Sequence, residues 1–400
     1  MKRSFSRLIF GVICFLPLFA NAQSSTTAVT PVVTPSGQRL NTVNSAVPFL
    51  NFTPDARSGA MGDAGVALSP DANSIYWNPS KLVFAPKNAG ASLSYTPWLR
   101  DLIGDMYYTY LTGYKKVGKN QALGVSLVYF DLGTIQFTTN TGLSAGTFNS
   151  REYAFTGSYS ARLTKNFSMG VNLKYLNSNL AGSSTVNGNP VRPGATAAAD
   201  ISAYYQNESR DEATGRGLGW AFGGMISNIG GQVSYGSPQR FYIPTNLRLG
   251  TAITYYADQF NKFNIALDFN KLMVPTPPIN KEKGYLASVF GSFADAPGGF
   301  KEELQEINIS SGIEYWYNDQ FAARLGYFNE SNAKGGRKFF TGGVGIRLQD
   351  RYGIDFSYLM PVKQGSPLAN TFRVSLLIDL TKGIKILDDD EETTEDDTTN

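Results

Sequence analysis

From about residue 89 to residue 380 the chain is a succession of short runs in which apolar and polar residues alternate. This period of two constrains the fold more than any other feature, because successive side chains leave a strand on opposite faces. The clearest run sets Phe167, Met169, Val171, Leu173 and Tyr175 against Ser168, Gly170, Asn172 and Lys174. Phe263, Ile265, Leu267 and Phe269 alternate likewise with Asn264, Ala266, Asp268 and Asn270. Tyr352, Ile354, Phe356 and Tyr358 do so with Gly353, Asp355 and Ser357. Fourteen strands are predicted, at 89–95, 106–114, 122–132, 152–163, 167–177, 197–206, 218–228, 246–256, 263–271, 307–317, 321–329, 339–348, 352–360 and 371–380. Most have the roughly 9–11 residues that a tilted strand needs to cross a bilayer.

A soluble sandwich would show the same alternation with more charge on its outer face. Here charged residues are 17% of the chain, against 26 Phe, 22 Tyr and 41 Gly. Past the N-terminus no stretch is long and apolar enough for a membrane helix, and in lipid a sheet must close to satisfy its edges. The connections also alternate. Those containing KKVGKNQ, TKN, ADQFNK, NDQ and QDR are short, and those between them are mostly longer, including 133–151, 178–196, 229–245 and 272–306. Only QNESRDEATGRG is too long for its place. The fold class predicted is all-β: a transmembrane antiparallel barrel of about 14 strands over 89–380. Short turns on one side and long loops on the other put both chain ends in the periplasm and the long loops outside the cell.

The ends of the chain read separately. Lys2, Arg3 and Arg7 precede the apolar run Leu8–Phe19 and then Ala20-Asn21-Ala22, the pattern of a cleavable signal peptide over 1–22. The lone cysteine, Cys14, lies within it, and the sequence has no histidine. The mature chain therefore has no thiol and lacks the commonest general base and metal ligand. No enzyme, no cofactor, no metal and no nucleic-acid contact are expected. Residues 23–45, rich in Ser, Thr, Val and Pro, read as a flexible leader. The stretch 381–400 reads as an acidic disordered tail, and DDDEETTEDDTTN at its end holds eight acidic groups and no basic one.

Between leader and barrel, residues 46–88 break the pattern. DARSGAMGDAGVALSPDANSIYWNPSKL, over 55–82, places Gly59, Gly62 and Gly65 among small residues and ends in Asn78-Pro79. A phosphate-cradling turn would need a preceding strand and a following helix in a parallel unit, and neither is present. Tight turns in a closely packed segment explain the glycines, so 46–88 is expected to be a hatch inside the lumen, with Asn78-Pro79 ending its packing. Neither Asp63 with Asp71 nor Glu302 with Glu303 makes a convincing acid–base pair. Asp63 and Asp71 flank turns, and the glutamates fall on a short loop helix with Phe300, Leu304 and Ile307 on one face. Inward positions such as Lys174, Arg248, Asp268, Glu314, Arg324, Arg347, Asp355, Arg373 and Asp379 mix both signs, unlike a selective channel. Inward Gly219, Gly223, Gly343 and Gly345 leave room for hatch side chains or for a lateral gap. Trp98, Trp220 and Trp316 suit interfacial girdles or ordinary packing.

DARSGAMGDAGVAL followed by DANSIYWNPSKL resembles the N-terminal signature of the FadL-like outer-membrane barrels, and the likeness runs from about Val47 to Leu380. FLNFTPDARSGAMGDAG is most similar to the barrel component of the type IX protein secretion system. That resemblance implies fourteen strands with an N-terminal hatch in the outer membrane. It also implies binding of the C-terminal signal domains of secreted cargo at a SprA-type translocon, and delivery to an attachment complex with a PorU-type sortase. Outer-membrane lipid would surround the barrel. The competing expectation is a transporter of hydrophobic small molecules, and a general porin ranks third.

Overall fold

A computed structural model describes residues 32–33, 39–138, 141–182, 185–186, 189–276, 284–349 and 351–380. The predicted signal peptide, most of the leader and the acidic stretch 381–400 lie outside the described residues.

The strands are β1 Ala89–Pro97, β2 Tyr107–Val117, β3 Gln121–Thr138, β4 Ser144–Arg162, β5 Phe167–Asn179, β6 Gly194–Arg210 and β7 Gly217–Gly230. They continue as β8 Asn246–Tyr256, β9 Asn261–Leu272, β10 Ile307–Tyr317, β11 Phe321–Asn329, β12 Lys338–Leu348, β13 Tyr352–Pro361 and β14 Phe372–Asp379. Each pairs antiparallel with its neighbour in sequence, and β14 pairs with β1, closing a barrel that has no free edge. All fourteen predicted strands occupy these places. Within the ring the alternation separates two surfaces. On β5, Met169, Val171, Leu173 and Tyr175 are exposed while Ser168 and Asn172 are buried. The same apolar-out, polar-in order runs through β9 and β13. Each large apolar side chain left in water forgoes about 1.5–3 kcal/mol of burial, so a wall of them is stable only against lipid. No helix among the described residues is long and apolar enough to cross a membrane; the crossing is made by strands.

Two connections differ from expectation. The anomalous connection between β6 and β7 shrinks to 211–216, because both strands run further than the alternation showed. The predicted loop 133–151 is largely paired strand, since β3 and β4 continue past a bulge between Asp131 and Thr134. Beyond the bulge Thr134, Ile135 and Gln136 are all exposed, so both faces are free and the period-2 signal fades. The helices in chain order are α1 Ala56–Ala60 and α2 Ser74–Trp77, and in the connection between β9 and β10 the two short helices α3 Tyr285–Gly291 and α4 Phe300–Gln305. The helix expected at FKEELQ exists, but its apolar side does not face the protein. Phe300 and Leu304 are exposed, and Glu303 and Glu306 are buried beneath.

Of the three tryptophans read as girdle or packing residues, Trp220 faces outward, whereas Trp98 and Trp316 are buried. Trp316 shares its face of β10 with Glu314, two residues away. There it lies under the Arg324 and Arg347 guanidinium groups. Trp98 stacks on Phe52 at 4.1 Å.

Candidate functional site

Between Phe49 and Ala85 most side chains are buried, and the segment contacts inward residues of the strands. Its backbone is folded by local chemistry into single turns. Asp55 caps a one-turn helix, Ala56–Ala60, by accepting from Ser58 N at 2.8 Å. A second turn spans Ser74–Trp77, and Pro79–Phe84 forms a 3-10 turn with Asn78 as its cap and Pro79 in its first turn. So little regular structure leaves many backbone groups without partners, and the inward polar residues of the strands supply them. Ser375 of β14 accepts from Ala56 N at 2.9 Å, and Thr341 of β12 accepts from Gly62 N at 2.9 Å. Asp268 of β9 accepts from the amides of both Gly65 and Val66, at 2.7 and 2.9 Å. Asn172 of β5 donates to Ile75 O at 3.0 Å, and Thr112 of β2 donates to Ala72 O at 3.0 Å. Partners therefore come from all round the barrel.

The glycines are where backbone meets wall. Gly62 has φ +69°, and a Cβ there would lie 2.5 Å from both Tyr327 N and Tyr327 O. A Cβ on Gly65 would enter the Trp77 ring, and one on Gly59 would come within 3.0 Å of the Arg373 side chain. Asn78 donates to Ala203 O of β6 at 3.0 Å and to Val66 O at 3.2 Å. Asn78 and Pro79 do not end the packing, contrary to expectation. Ser80, Lys81, Leu82 and Val83 remain buried, and Ser168 of β5 donates to Ser80 O at 2.6 Å. A proline that opens a turn continues the chain's contact with the wall; it stops only an α-helix arriving from the N-terminal side.

The charged lumen residues form a continuous neutral network. Arg57 of the inserted segment pairs with Glu314 of β10 at 2.8 Å and with Asp71 at 3.2 Å. Glu314 also pairs with Arg324 of β11, which reaches Asp355 of β13 at 2.8 Å, and Asp355 pairs with Arg347 of β12 at 2.8 Å. Three cations thus balance three anions. Buried pairs of this kind contribute little net stability, but removing one partner typically costs about 3–5 kcal/mol. The network therefore fixes where the segment sits. Glu314 is among the inward charges read from the sequence, whereas Arg57 is not, although one signal was present: it is the only basic residue between Arg39 and Lys81. Two further groups of the segment feel their burial. Burial raises the Asp55 carboxyl to about 6, with the Asp71 charge adding to it, despite the Trp77 Nε1 donor at 2.6 Å. Burial lowers the Lys81 ammonium to about 8; it donates to Gly65 O at 2.6 Å.

Three of the four carboxylates set aside as acid–base candidates have ion-pair partners. Asp71 pairs with Arg57, Glu302 with Lys334, and Glu303 with Lys271. Asp63 borders a cavity of about 360 Å³ above the segment, with Arg248, Glu306, Glu330, Lys334 and Arg337 among its other lining residues. Among the described residues no group of three or more carboxylates is placed to hold a metal ion. Three of the four inward glycines leave no gap, whereas a Cβ on Gly219 would meet only ordinary contacts, the nearest being Thr254 Cβ at 3.5 Å. A Cβ on Gly223 would lie 2.5 Å from Val66 O, one on Gly343 2.5 Å from Ala60 Cβ, and one on Gly345 would strike Asp355.

Residues 35–279, more than half of the chain, match the family described as "Type IX secretion system protein PorV". Solved structures with a similar course include the toluene transporter TodX of Pseudomonas putida, at 12% identity and TM-score 0.44, covering 80% of this chain and 95% of that one. The toluene transporter TbuX of Ralstonia pickettii gives 12% and 0.46, covering 82% and 97%. A FadL homologue of Pseudomonas aeruginosa gives 11% and 0.43, covering 85% and 99%. Among curated proteins, none matches the chain.

Proposed function

The chain belongs to the PorV family of type IX secretion system proteins, and from that premise we propose that this outer-membrane barrel is a cargo adaptor and not an enzyme. It binds the C-terminal signal domains of secreted proteins as they leave a SprA-type translocon and hands them to an attachment complex with a PorU-type sortase. In this reading the long connections lie outside the cell, both chain ends are periplasmic, and residues 46–88 plug the lumen.

The observation that carries the reading beyond the family is the inverted amphipathicity of the β9–β10 connection. Leu286, Phe290 and Phe293 on and beside α3, and Phe300 and Leu304 on α4, are all exposed. The inner side is polar and held rigidly. Lys271 binds Glu303 at 2.9 Å and also binds Glu306, while Lys334 binds Glu302 at 2.6 Å and Glu306 at 2.8 Å. Exposed aromatic side chains on a rigid base are the composition of a protein-binding hot spot. A transporter of hydrophobic small molecules needs a continuous apolar path, and the lumen offers charged groups instead.

The test is a Phe290→Ser, Phe300→Ser double variant. Barrel stability should stay within about 0.5 kcal/mol, because both residues are exposed. Co-purification of signal-bearing cargo, and its secretion, should fall at least about tenfold, the equivalent of about 1.4 kcal/mol. Normal cargo capture by the variant would sink the adaptor surface. Normal secretion in cells lacking the whole protein would sink the adaptor function.

A further inference from the structure

The acidic stretch at the C-terminus has no part in the reading above, and the rim from which it departs is not neutral. Leu380 N donates to Ala89 O at 2.9 Å, so the chain leaves the ring beside the start of β1, on the short-turn side. On the same rim, in the sector running from β1 to β5, the strand ends and turns carry Lys87, Lys115, Lys116, Lys119 and Lys165. Lys115, Lys119 and Lys165 are exposed, and none of the five forms an ion pair with a described residue. On this sector of the rim, from β14 through β5, Asp379 is the one carboxylate among the described residues that lies outside the lumen network. The far sector carries both signs, with Asp211, Glu212, Asp258 and Asp319 beside Arg210, Arg216, Arg351 and Lys262, the last paired to Asp319. Cations thus stand all along the short-turn rim, while exposed carboxylates are gathered on the far sector.

We propose that the acidic run Asp388–Asp397 docks on this lysine sector of its own barrel, so that each masks the other until a competing charged partner separates them. The charges are complementary, with eight carboxylates in DDDEETTEDDTTN against five lysines. The reach is sufficient as well. Eight residues from Leu380 to Asp388 extend up to about 26 Å at roughly 3.3 Å each, whereas five strand spacings of about 4.8 Å separate β14 from β5 by about 24 Å. Tethering supplies an effective concentration on the order of millimolar. Exposed pairs are individually weak and salt-screened, so the contact is reversible and falls away as the Debye length shortens.

Carbodiimide coupling of the full chain in neutral detergent, followed by peptide mapping, tests this. Carboxylates of 388–397 should link within one chain to Lys115, Lys119 and Lys165. The yield should drop at least about fivefold between roughly 0.05 and 0.5 M salt. A Lys115→Glu, Lys119→Glu, Lys165→Glu variant that keeps the folded barrel's migration on unheated gels should lose the remaining links to Lys87 and Lys116. Links spread evenly onto Lys262 and the far rim, links only between chains, or links unchanged in the variant would overturn the proposal. So would their disappearance in nanodiscs containing phosphatidylglycerol, which would assign the lysines to lipid phosphate.

Discussion

Gly62 shows how much a single position can hold. Its left-handed φ and the 2.5 Å approach of Tyr327 backbone atoms leave no space for any side chain. Gly62→Val should displace the inserted segment and open the buried Arg57 and Lys81 to trypsin. Unchanged protease resistance in detergent would show that the close approach is dispensable. Asp55 gives a pH dependence of known sign. Its carboxyl holds a proton up to about 6 inside the barrel but only to about 4 when unfolded. Between those values the native state binds more protons, so the stability of the segment falls as pH rises from about 4 to 6 and then levels off. Asp63, also raised by burial, acts in the same direction. Amide exchange at Gly59 and Met61 should slow as pH falls from 7 to 5, after correction for intrinsic rates. Asp55→Asn should flatten that trend, and an equally steep trend in the variant would rule Asp55 out. None of this was visible in the sequence, where Asp55 is one more turn carboxylate. Its pKa depends on burial by residues far away in the chain.

At the scale of elements, the strands were legible because lipid outside and polar packing inside impose a strict alternation on the ring. The alternation stops where the environment stops. That is why the ends of β6 and β7 and the outer half of the β3–β4 hairpin escaped notice. Past Asp131 the hairpin has water on both faces, and its side chains are under no two-sided constraint. Removing 134–149 would join Gly133 to Ser150 in a three-residue turn above the Asp131–Arg151 pair. The shortened protein is expected to insert and to keep its heat-modifiable migration, and loss of the folded band would mean that the hairpin supports the ring. The α4 helix teaches the converse. Its apolar stripe was readable but the direction the stripe faces was not, because Lys271 and Lys334 draw Glu303 and Glu306 inward.

For the whole molecule, the closed β ring, its strand number and its lipid-facing surface could be read from the residues alone. Those follow from local periodicity and from the requirement that every backbone group in a membrane be satisfied. The sequence also marked 46–88 as different, through small residues that no barrel strand would choose. Long-range packing settles which inward charges meet, that Arg57 joins the Glu314–Arg324–Asp355 chain, that Trp98 and Trp316 turn inward, and that lysines share one sector of the rim from β1 to β5. Those outcomes depend on strand register and on which turns become neighbours when β14 closes against β1. Both are set by pairings across the whole ring, which no local stretch of residues encodes.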